Sequence, residues 1–413
     1  YVWRTQLGNE SIRVIKRTAR TEFPAYVEKG NSLYLDVSSH GRKRVCGFFL
    51  VFRRSMTAKE RKNMKRRIVS MLLAVFLLVS ATACAKQPDT DATQAYLSKV
   101  DVDYSYNLAL KLEEIRSNEK LGYRTAGSEA ELATGDMLKE EMERIGLQDV
   151  TKDAFTLDTW TFTKAQLCFE DGAGEEYVAE LGGYQTNFVT DGAETFTVID
   201  GGQGTEADLA GLDVTGKLVL VDINQRADWW INYPAYEAHL AGAAAVIAVQ
   251  DGGYAEVSDD ALNAQDVCGP ADAPAFSMSR ADAELLRAAM DENGEANVTL
   301  DADSRVEMDG TSYNVIGTIP GRDTESMVLM SAHYDSYFAG FQDDNAAIAL
   351  MMGIAKGLID SGYQPEKTLV FCAMAAEEWG VSNTRYDWST GAYNQIFRVH
   401  PEWVGKVIAD INF

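Results

Sequence analysis

The side chains with the clearest chemical potential lie in the last quarter of the chain, in four short motifs rich in acids. The motifs hold one histidine and six carboxylates: His333 and Asp335 in SAHYDS (331–336), Asp343 and Asp344 in FQDDN (341–345), Glu377 and Glu378 in AAEEWG (375–380), and Asp410 in VIADINF (407–413). Each motif alone has an ordinary explanation, since carboxylates are common at helix N-termini. Gathered in one place, the acids would repel each other unless a divalent cation compensated. A set of His and carboxylate ligands is one that zinc accepts.

The spacing within two of these motifs fits metal chemistry. Residues two apart in a strand share a face, so Asp335 can fix the tautomer of a metal-binding His333. Adjacent residues at a strand end point in different directions, which lets one of Glu377 and Glu378 bind a metal while the other faces a water molecule. Metal binding lowers the pKa of such a water to about 7, and two metals about 3.5–4 Å apart clamp both oxygens of a tetrahedral intermediate. A positioned carboxylate that removes the proton of the water increases the rate by roughly 10²–10⁴.

The elements that must position these side chains are short apolar strands. The sequence predicts strands at 327–330, 369–374 and 406–412, and each leads into one of the motifs. Open parallel α/β sheets place their sites at the carboxyl ends of the strands, so the motifs are expected at one edge. Asp343 and Asp344 are predicted to open an apolar helix over 340–362.

Upstream segments read as the remainder of an α/β protein. Over 127–150, Ser128 as N-cap, Glu131 three residues later and Gly146 at the end predict a helix, which we interpret as an ordinary surface helix. Between 155 and 305 the sequence predicts a strand at 216–224, a helix running into a strand at 234–252, and an extended segment at 273–279.

Composition limits the class of protein. The chain has 413 residues, 46% of them hydrophobic, which favours two domains. Residues 1–84 are basic, and the remainder carries a net charge of about −36 within a total of −24. Such acidity argues against nucleic acid as a partner.

The basic segment ends in a candidate export signal, MKRRIVSMLLAVFLLVSATACAKQ (64–87). Its charged start, its apolar stretch at 71–83 and its small residues before Cys84 are typical of such signals, and the apolar stretch is short for a membrane span. The small residues ending in Cys84 resemble a bacterial lipobox, so the expected product is an exported cell-envelope lipoprotein anchored at Cys84. Plain secretion after cleavage near Ala83 is the alternative. Residues 1–63 are then interpreted as a non-native upstream extension.

The four motifs, in this order, resemble the secreted co-catalytic zinc aminopeptidase and glutamate carboxypeptidase family, peptidase family M28 of clan MH. The segment AGAAAVIAV (241–249) and its surroundings resemble the protease-associated (PA) domain that several exopeptidases carry as an insert. The resemblance implies a three-layer α/β zinc-exopeptidase fold with a mixed, mostly parallel central sheet, incomplete at the C-terminus, plus an inserted β-rich α/β PA domain. The implied ranges are 64–84 signal, 85–155 and 309–413 peptidase domain, and 156–308 PA domain.

The resemblance also implies roles for individual residues. His333, Asp344 and Asp410 would hold one zinc ion, and Asp344 would bridge to a second ion held also by Glu378. The catalytic residues would be Glu377 as general base and Asp335 as the group that orients His333.

One family ligand has no counterpart in this sequence. The family's final zinc-binding histidine follows the position of Asp410, so we expect the chain to be a piece of a longer protein, and as such inactive by itself. His400 is the alternative ligand. The implied function is peptide hydrolysis at chain ends, with a related di-zinc carboxypeptidase or amidase, or a non-catalytic binding protein on the same fold, as alternatives.

Overall fold

The computed structural model describes four short strands in the first 53 residues and then residues 90–224, 232–252, 258–262, 272–378 and 389–413. The chain divides into two units, Tyr1–Pro88 and Asp89–Phe413. In the first unit, strand β1 (Val2–Leu7) pairs antiparallel with β2 (Glu10–Ile15), and β3 (Ser32–Leu33) with β4 (Phe52–Arg53). The predicted export signal and Cys84 lie outside the described residues.

The second unit alternates helices with the strands of one sheet. Its strands are β5 (Gln148–Glu170), β6 (Glu176–Glu180), β7 (Gly182–Gly183), β8 (Phe188–Val189), β9 (Glu194–Asp200), β10 (Leu218–Asn224), β11 (Ala245–Gly252), β12 (Ala275–Met278), β13 (Glu295–Ile319), β14 (Asp323–His333), β15 (Lys367–Met374) and β16 (Val407–Asn412). Its helices are α1 (Thr90–Leu97), α2 (Val102–Glu113), α3 (Glu129–Ile145), α4 (Glu206–Leu209), α5 (Asn232–Leu240), α6 (Arg280–Ala289), α7 (Ala346–Asp360) and α8 (Thr390–Asn394). Irregular turns cover Phe341–Asn345, Gln395–Val399 and Pro401–Trp403.

The sheet is mixed, as the sequence predicts. Its strands follow the order β16-β14-β15-β13-β9-β10-β11-β12-β7, with β5 and β8 also paired to β13, and β6 to β5. Two groups are parallel, β16-β14-β15 and β9-β10-β11-β12, and β13 runs antiparallel between them. The expectation of an α/β architecture with a mixed central sheet is confirmed.

Two long strands run through both parts of this sheet. The first residues of β13, Glu295–Leu300, pair with β9, and its last residues, Val315–Ile319, pair with β15. Strand β5 pairs with β13 from Gln148 to Cys168. The predicted domain boundaries at 155/156 and 308/309 fall inside these two strands, and the domain ranges stay a prediction.

The core around α2, α3 and α7 is formed by apolar helix faces that pack on each other and on the sheet. Leu112 of α2, Leu138 and Met142 of α3, and Met352 of α7 are fully buried. Helix α3 begins and ends where the sequence predicts, with Ser128 as N-cap and Gly146 as a left-handed C-cap at φ 96°. Within the described residues, every helix is too short or too polar to cross a membrane.

One local prediction is wrong. Asp343 and Asp344 lie in the irregular turn Phe341–Asn345, with φ values of −128° and −136°, and neither is the N-cap of α7, which is Asn345. Helix α7 begins only at Ala346. The peptide bond between the two acids is cis.

Candidate metal and catalytic site

His333 is the last residue of β14, and acids surround both nitrogens of its ring. Nε2 lies 3.0 Å from Asp343 Oδ1 and 3.8 Å from Asp344 Oδ2. Nδ1 lies 3.4 Å from Asp335 Oδ1 and 3.1 Å from the backbone oxygen of Asp335. One nitrogen is therefore held by Asp335 while the other faces the acidic turn, the arrangement expected of an oriented metal-binding imidazole.

His333, Asp343 and Asp344 each offer a ligand atom within 4.8 Å of the others. The two acids differ in burial, since the side chain of Asp343 is 62% exposed and that of Asp344 only 10%. Asp344 Oδ2 also accepts a hydrogen bond from the amide of His333 at 3.2 Å. The structure thus places Asp344 beside His333, together with Asp343.

Glu377 and Glu378 follow β15, beside the end of β14. Their amides donate to Asp335, Glu377 N to Oδ1 at 2.9 Å and Glu378 N to Oδ2 at 3.0 Å. Asp335 is fully buried, so its carboxylate holds the backbone of the glutamate pair as well as the ring of His333. Ser389 Oγ donates to Glu377 Oε1 at 3.2 Å.

The site concentrates negative charge away from water. Burial raises the pKa of Asp344 to about 7, against the lowering effect of His333. Burial also raises the pKa values of Glu377 and Glu378, and the neighbouring carboxylates of Asp335 and Asp343 raise them further. Burial would lower the pKa of His333, but hydrogen bonds to Asp335 and Asp343 raise it well above its usual value.

These residues fit a divalent cation. Crowded carboxylates with raised pKa values are the situation that a bound cation relieves, and the set of one imidazole and several carboxylates matches the ligands of zinc.

Asp410 is placed apart from this group. In the parallel register of β16 with β14 it pairs with Leu329, four residues before His333, and its side chain is exposed. Its carboxylate accepts a hydrogen bond from Ser331 Oγ at 3.1 Å. Its role as a ligand stays a prediction.

His400 has other partners. Nε2 lies 2.8 Å from Asp153 Oδ2, Nδ1 lies 2.8 Å from Glu402 Oε1, and the ring stacks on Trp403 at 4.4 Å. None of these partners is a predicted ligand.

Three supporting residues escaped the sequence analysis. Glu131 is fully buried and its Oε1 accepts the amide of Ala376 at 3.0 Å, so α3 is not the ordinary surface helix expected. Burial and the nearby Asp335 raise the pKa of Glu131 to about 8. Asn314 accepts the amide of Ala375 at 2.9 Å, and the buried Arg124 donates to the backbone oxygen of Tyr334. Glu131 has a sequence signal, the capping-box spacing, but that signal has a purely local explanation.

Comparison with protein families matches two parts of the chain. Residues 314–402 match the model of peptidase family M28, and residues 177–286 match the PA domain. The first range contains His333, Asp344 and the glutamate pair.

Three named relatives are similar in sequence. A probable leucine aminopeptidase 2 of Aspergillus fumigatus is 28% identical over 265 residues, which cover 64% of this chain and 50% of that protein. Leupeptin-inactivating enzyme 1 of Streptomyces exfoliatus is 35% identical over 78 residues, 18% of each protein. A probable glutamate carboxypeptidase of Arthroderma benhamiae is 33% identical over 73 residues, 17% of this chain and 10% of that protein. The chain spans about half the length of the probable leucine aminopeptidase that it matches over 265 residues.

Solved structures share the fold. A peptidase M28 precursor from Shewanella amazonensis aligns with a TM-score of 0.57 at 20% identity, covering 78% of this chain and 72% of that one. A zinc aminopeptidase from Bacillus subtilis aligns with a TM-score of 0.53 at 22% identity, covering 76% and 69%.

Proposed function

Since this chain carries a peptidase family M28 region and a PA domain, we propose that the whole protein is an exported, zinc-dependent exopeptidase, and most simply an aminopeptidase. The observation that carries the proposal is the meeting of His333, Asp344 and the glutamate pair at the ends of β14 and β15. Peptides are the proposed substrates. Similarity to a probable leucine aminopeptidase and to the fold of a zinc aminopeptidase supports the choice of the amino terminus.

His333, Asp344 and Glu378 are the residues that we assign to hold zinc. By family resemblance we propose two ions, and Asp344 and Asp410 would be among the residues that hold them. Zinc in such a site serves as a Lewis acid that polarises a carbonyl and lowers the pKa of water.

Glu377 is the residue that we assign as general base. Ser389 holds its Oε1 and Asp335 holds its amide, so the other oxygen, Oε2, is the atom that would take the proton from water and pass it to the leaving amine. The raised pKa of Glu377, caused mainly by burial, brings this carboxyl closer to neutral pH, where proton exchange is efficient.

A carboxypeptidase on the same site is the second candidate. The similarity to a probable glutamate carboxypeptidase falls on a short stretch of the chain and leaves open whether substrates are cleaved at the amino or the carboxy terminus.

Export rests on the sequence pattern before Cys84, and recovery of the protein in the membrane fraction would support the lipid anchor.

The test uses the whole protein, panels of amino- and carboxy-terminal substrates, and metal analysis. We expect zinc and hydrolysis of aminoacyl substrates in the wild type. Glu377→Gln should keep the metal and lose at least about a hundredfold in kcat, because the proton acceptor is gone. Hydrolysis only of carboxy-terminal substrates would select the second candidate. A whole protein without metal and without hydrolysis of either panel would refute a peptidase and leave a binding protein.

A further inference from the structure

The turn that delivers the glutamate pair is held by buried side chains at four consecutive amides. Ala375 N donates to Asn314 Oδ1 at 2.9 Å and Ala376 N to Glu131 Oε1 at 3.0 Å. The next two amides donate to Asp335, as described above. The acceptors come from β13, from α3 and from the segment after β14, so three separate elements define the path of this turn.

Glu131 stands out among these acceptors because a buried carboxylate is costly unless it is hydrogen-bonded. Its two oxygens have separate tasks. Oε2 accepts from Gly127 N and Ser312 Oγ, both at 2.5 Å, which ties the start of α3 to β13. Oε1 accepts from Ala376 N. The cap of α3 is already supplied by Ser128, whose hydroxyl accepts the amide of Glu131 at 3.2 Å, so helix capping does not explain why Glu131 reaches into the core.

The residue that Glu131 holds is the one before the proposed base. Ala376 has a φ of 52°, a left-handed conformation that is unfavourable for a non-glycine residue. On the other side of the turn, Ala376 O accepts from Gly391 N at 3.3 Å. Gly391 packs so closely that a Cβ there would lie 1.8 Å from Ala375 O. The peptide units before Glu377 are therefore enclosed on both sides, and the hydrogen bond to Glu131 stabilises their unusual conformation.

We propose that Glu131 is a positioning residue for peptide hydrolysis, which fixes the amide of Ala376 and thereby the placement of the Glu377 carboxylate. This assignment rests on the proposed function. The carboxyl group of Glu131 accepts hydrogen bonds from Gly127 N, Ser312 Oγ and Ala376 N, and the bond from Ala376 N is the one that links it to Glu377. Displacement of a catalytic group by about 1 Å lowers rates by up to about a hundredfold, so loss of this bond should affect turnover more than substrate binding.

The test measures kcat, KM, metal content and melting temperature of the whole protein. In Glu131→Gln the amide group has one oxygen, so either Ala376 N or Gly127 N faces an NH₂ group. We expect kcat to fall about 10- to 100-fold while KM and metal content stay within about twofold of wild type. Glu131→Asp keeps the carboxyl group but moves it back by one methylene, so it should lower kcat in the same way. This variant replaces Glu131→Gln if the Gln variant does not fold.

Ser312→Ala is the matched control, because it removes a buried bond to Oε2 and leaves the bond from Ala376 to Oε1. It should lower the melting temperature and keep kcat within about twofold. Wild-type kcat in a folded Glu131 variant, or an equal loss of kcat in Ser312→Ala, would overturn the proposal. If the wild type is active and Glu377→Gln is inactive, either of these outcomes rejects the role of Glu131 and leaves the proposed function intact. An inactive wild type would instead reject the proposed function and the role of Glu131 with it.

Discussion

At the scale of single residues, Arg124 is a buried cation that donates hydrogen bonds to three segments next to the site. Its guanidinium donates to the carbonyl oxygens of Leu112 at 2.7 Å and Ile115 at 3.1 Å, at the end of α2. It also donates to Tyr334 O, next to His333, and to Asn345 Oδ1, at the start of α7. Burial lowers the pKa of Arg124 to about 10, and the group remains charged at neutral pH.

We predict that Arg124→Met destabilises the protein by about 3–5 kcal/mol, since it leaves buried acceptors and the nearby carboxylates of Asp335 and Glu131 without their cation. Denaturant unfolding followed by circular dichroism measures the change. Arg116→Met, at an exposed arginine of the same region, should stay within about 0.5 kcal/mol of wild type. Equal stability of the two variants would mean that the buried guanidinium contributes nothing beyond its apolar stem.

At the scale of elements, the parallel strands β14 and β15 carry the two halves of the site at one end and an ion pair at the other. Lys367 Nζ donates to Asp323 Oδ2 at the start of these strands. This bond, together with bonds from Glu325 N and Ser326 Oγ, lowers the pKa of Asp323 to about 2. The strands are thus tied together at the end opposite His333.

The lowered pKa has a defined effect on acid stability. Because the folded state binds the proton of Asp323 more weakly than the unfolded chain, the carboxylate stabilises the fold above about pH 4, and this contribution is lost as the pH falls toward 2. We predict that the stability difference between wild type and Asp323→Asn is positive at pH 6 and shrinks between pH 4 and 2. Unfolding curves at several pH values measure it, with Glu119→Gln at an exposed acid as control. A difference that does not change with pH would exclude this ion pair as its source.

Much of the element layout follows from sequence patterns. The strands before each acidic motif and the limits of α3 are where apolar runs and the residues Ser128 and Gly146 predict them. These features depend on local sequence alone, so apolar periodicity and capping residues are enough to predict them.

Features that depend on tertiary register could not be predicted. The partners of Glu131 and Arg124 come from distant elements, up to 245 residues away. The position of Asp410 depends on the register of β16 on β14, and a slip of one residue would turn its side chain to the other face of the sheet. Asp343 and Asp344 resembled helix caps because the irregular turn Phe341–Asn345 has no local sequence signature.

At the scale of the whole molecule, β13, paired with β5, joins two groups of strands into one sheet. One side, β9–β12, lies in the range that matches the PA domain, and the other, β14 and β15, lies in the range that matches peptidase family M28. Residues Asp89–Phe413 accordingly form one unit. Leu300 lies in the part of β13 that pairs with β9, is fully buried, and is opposite Leu167 of β5.

We predict that Leu300→Ala lowers the stability of both sides together, by about 2–5 kcal/mol, because the cavity is made in a strand that both sides share. Hydrogen exchange at amides of β11, such as Ile247, and of β15, such as Phe371, should accelerate to the same extent. Val178→Ala, at a half-exposed residue of β6, should change neither. Faster exchange confined to β11 would show that the two sides unfold independently.

The distances along the chain between Glu131 and its partners also bear on how the protein is made. A ribosome releases Glu131 and Gly127 together, Ser312 only 181 residues after Glu131, and Ala376 245 residues after it. Until then the carboxylate must remain hydrated, since it has no buried donor from these later segments. We therefore expect strands β6–β12 to assemble during synthesis while the edge that carries His333 and the glutamate pair closes last, so that the proposed hydrolytic centre forms only after β15 has been made.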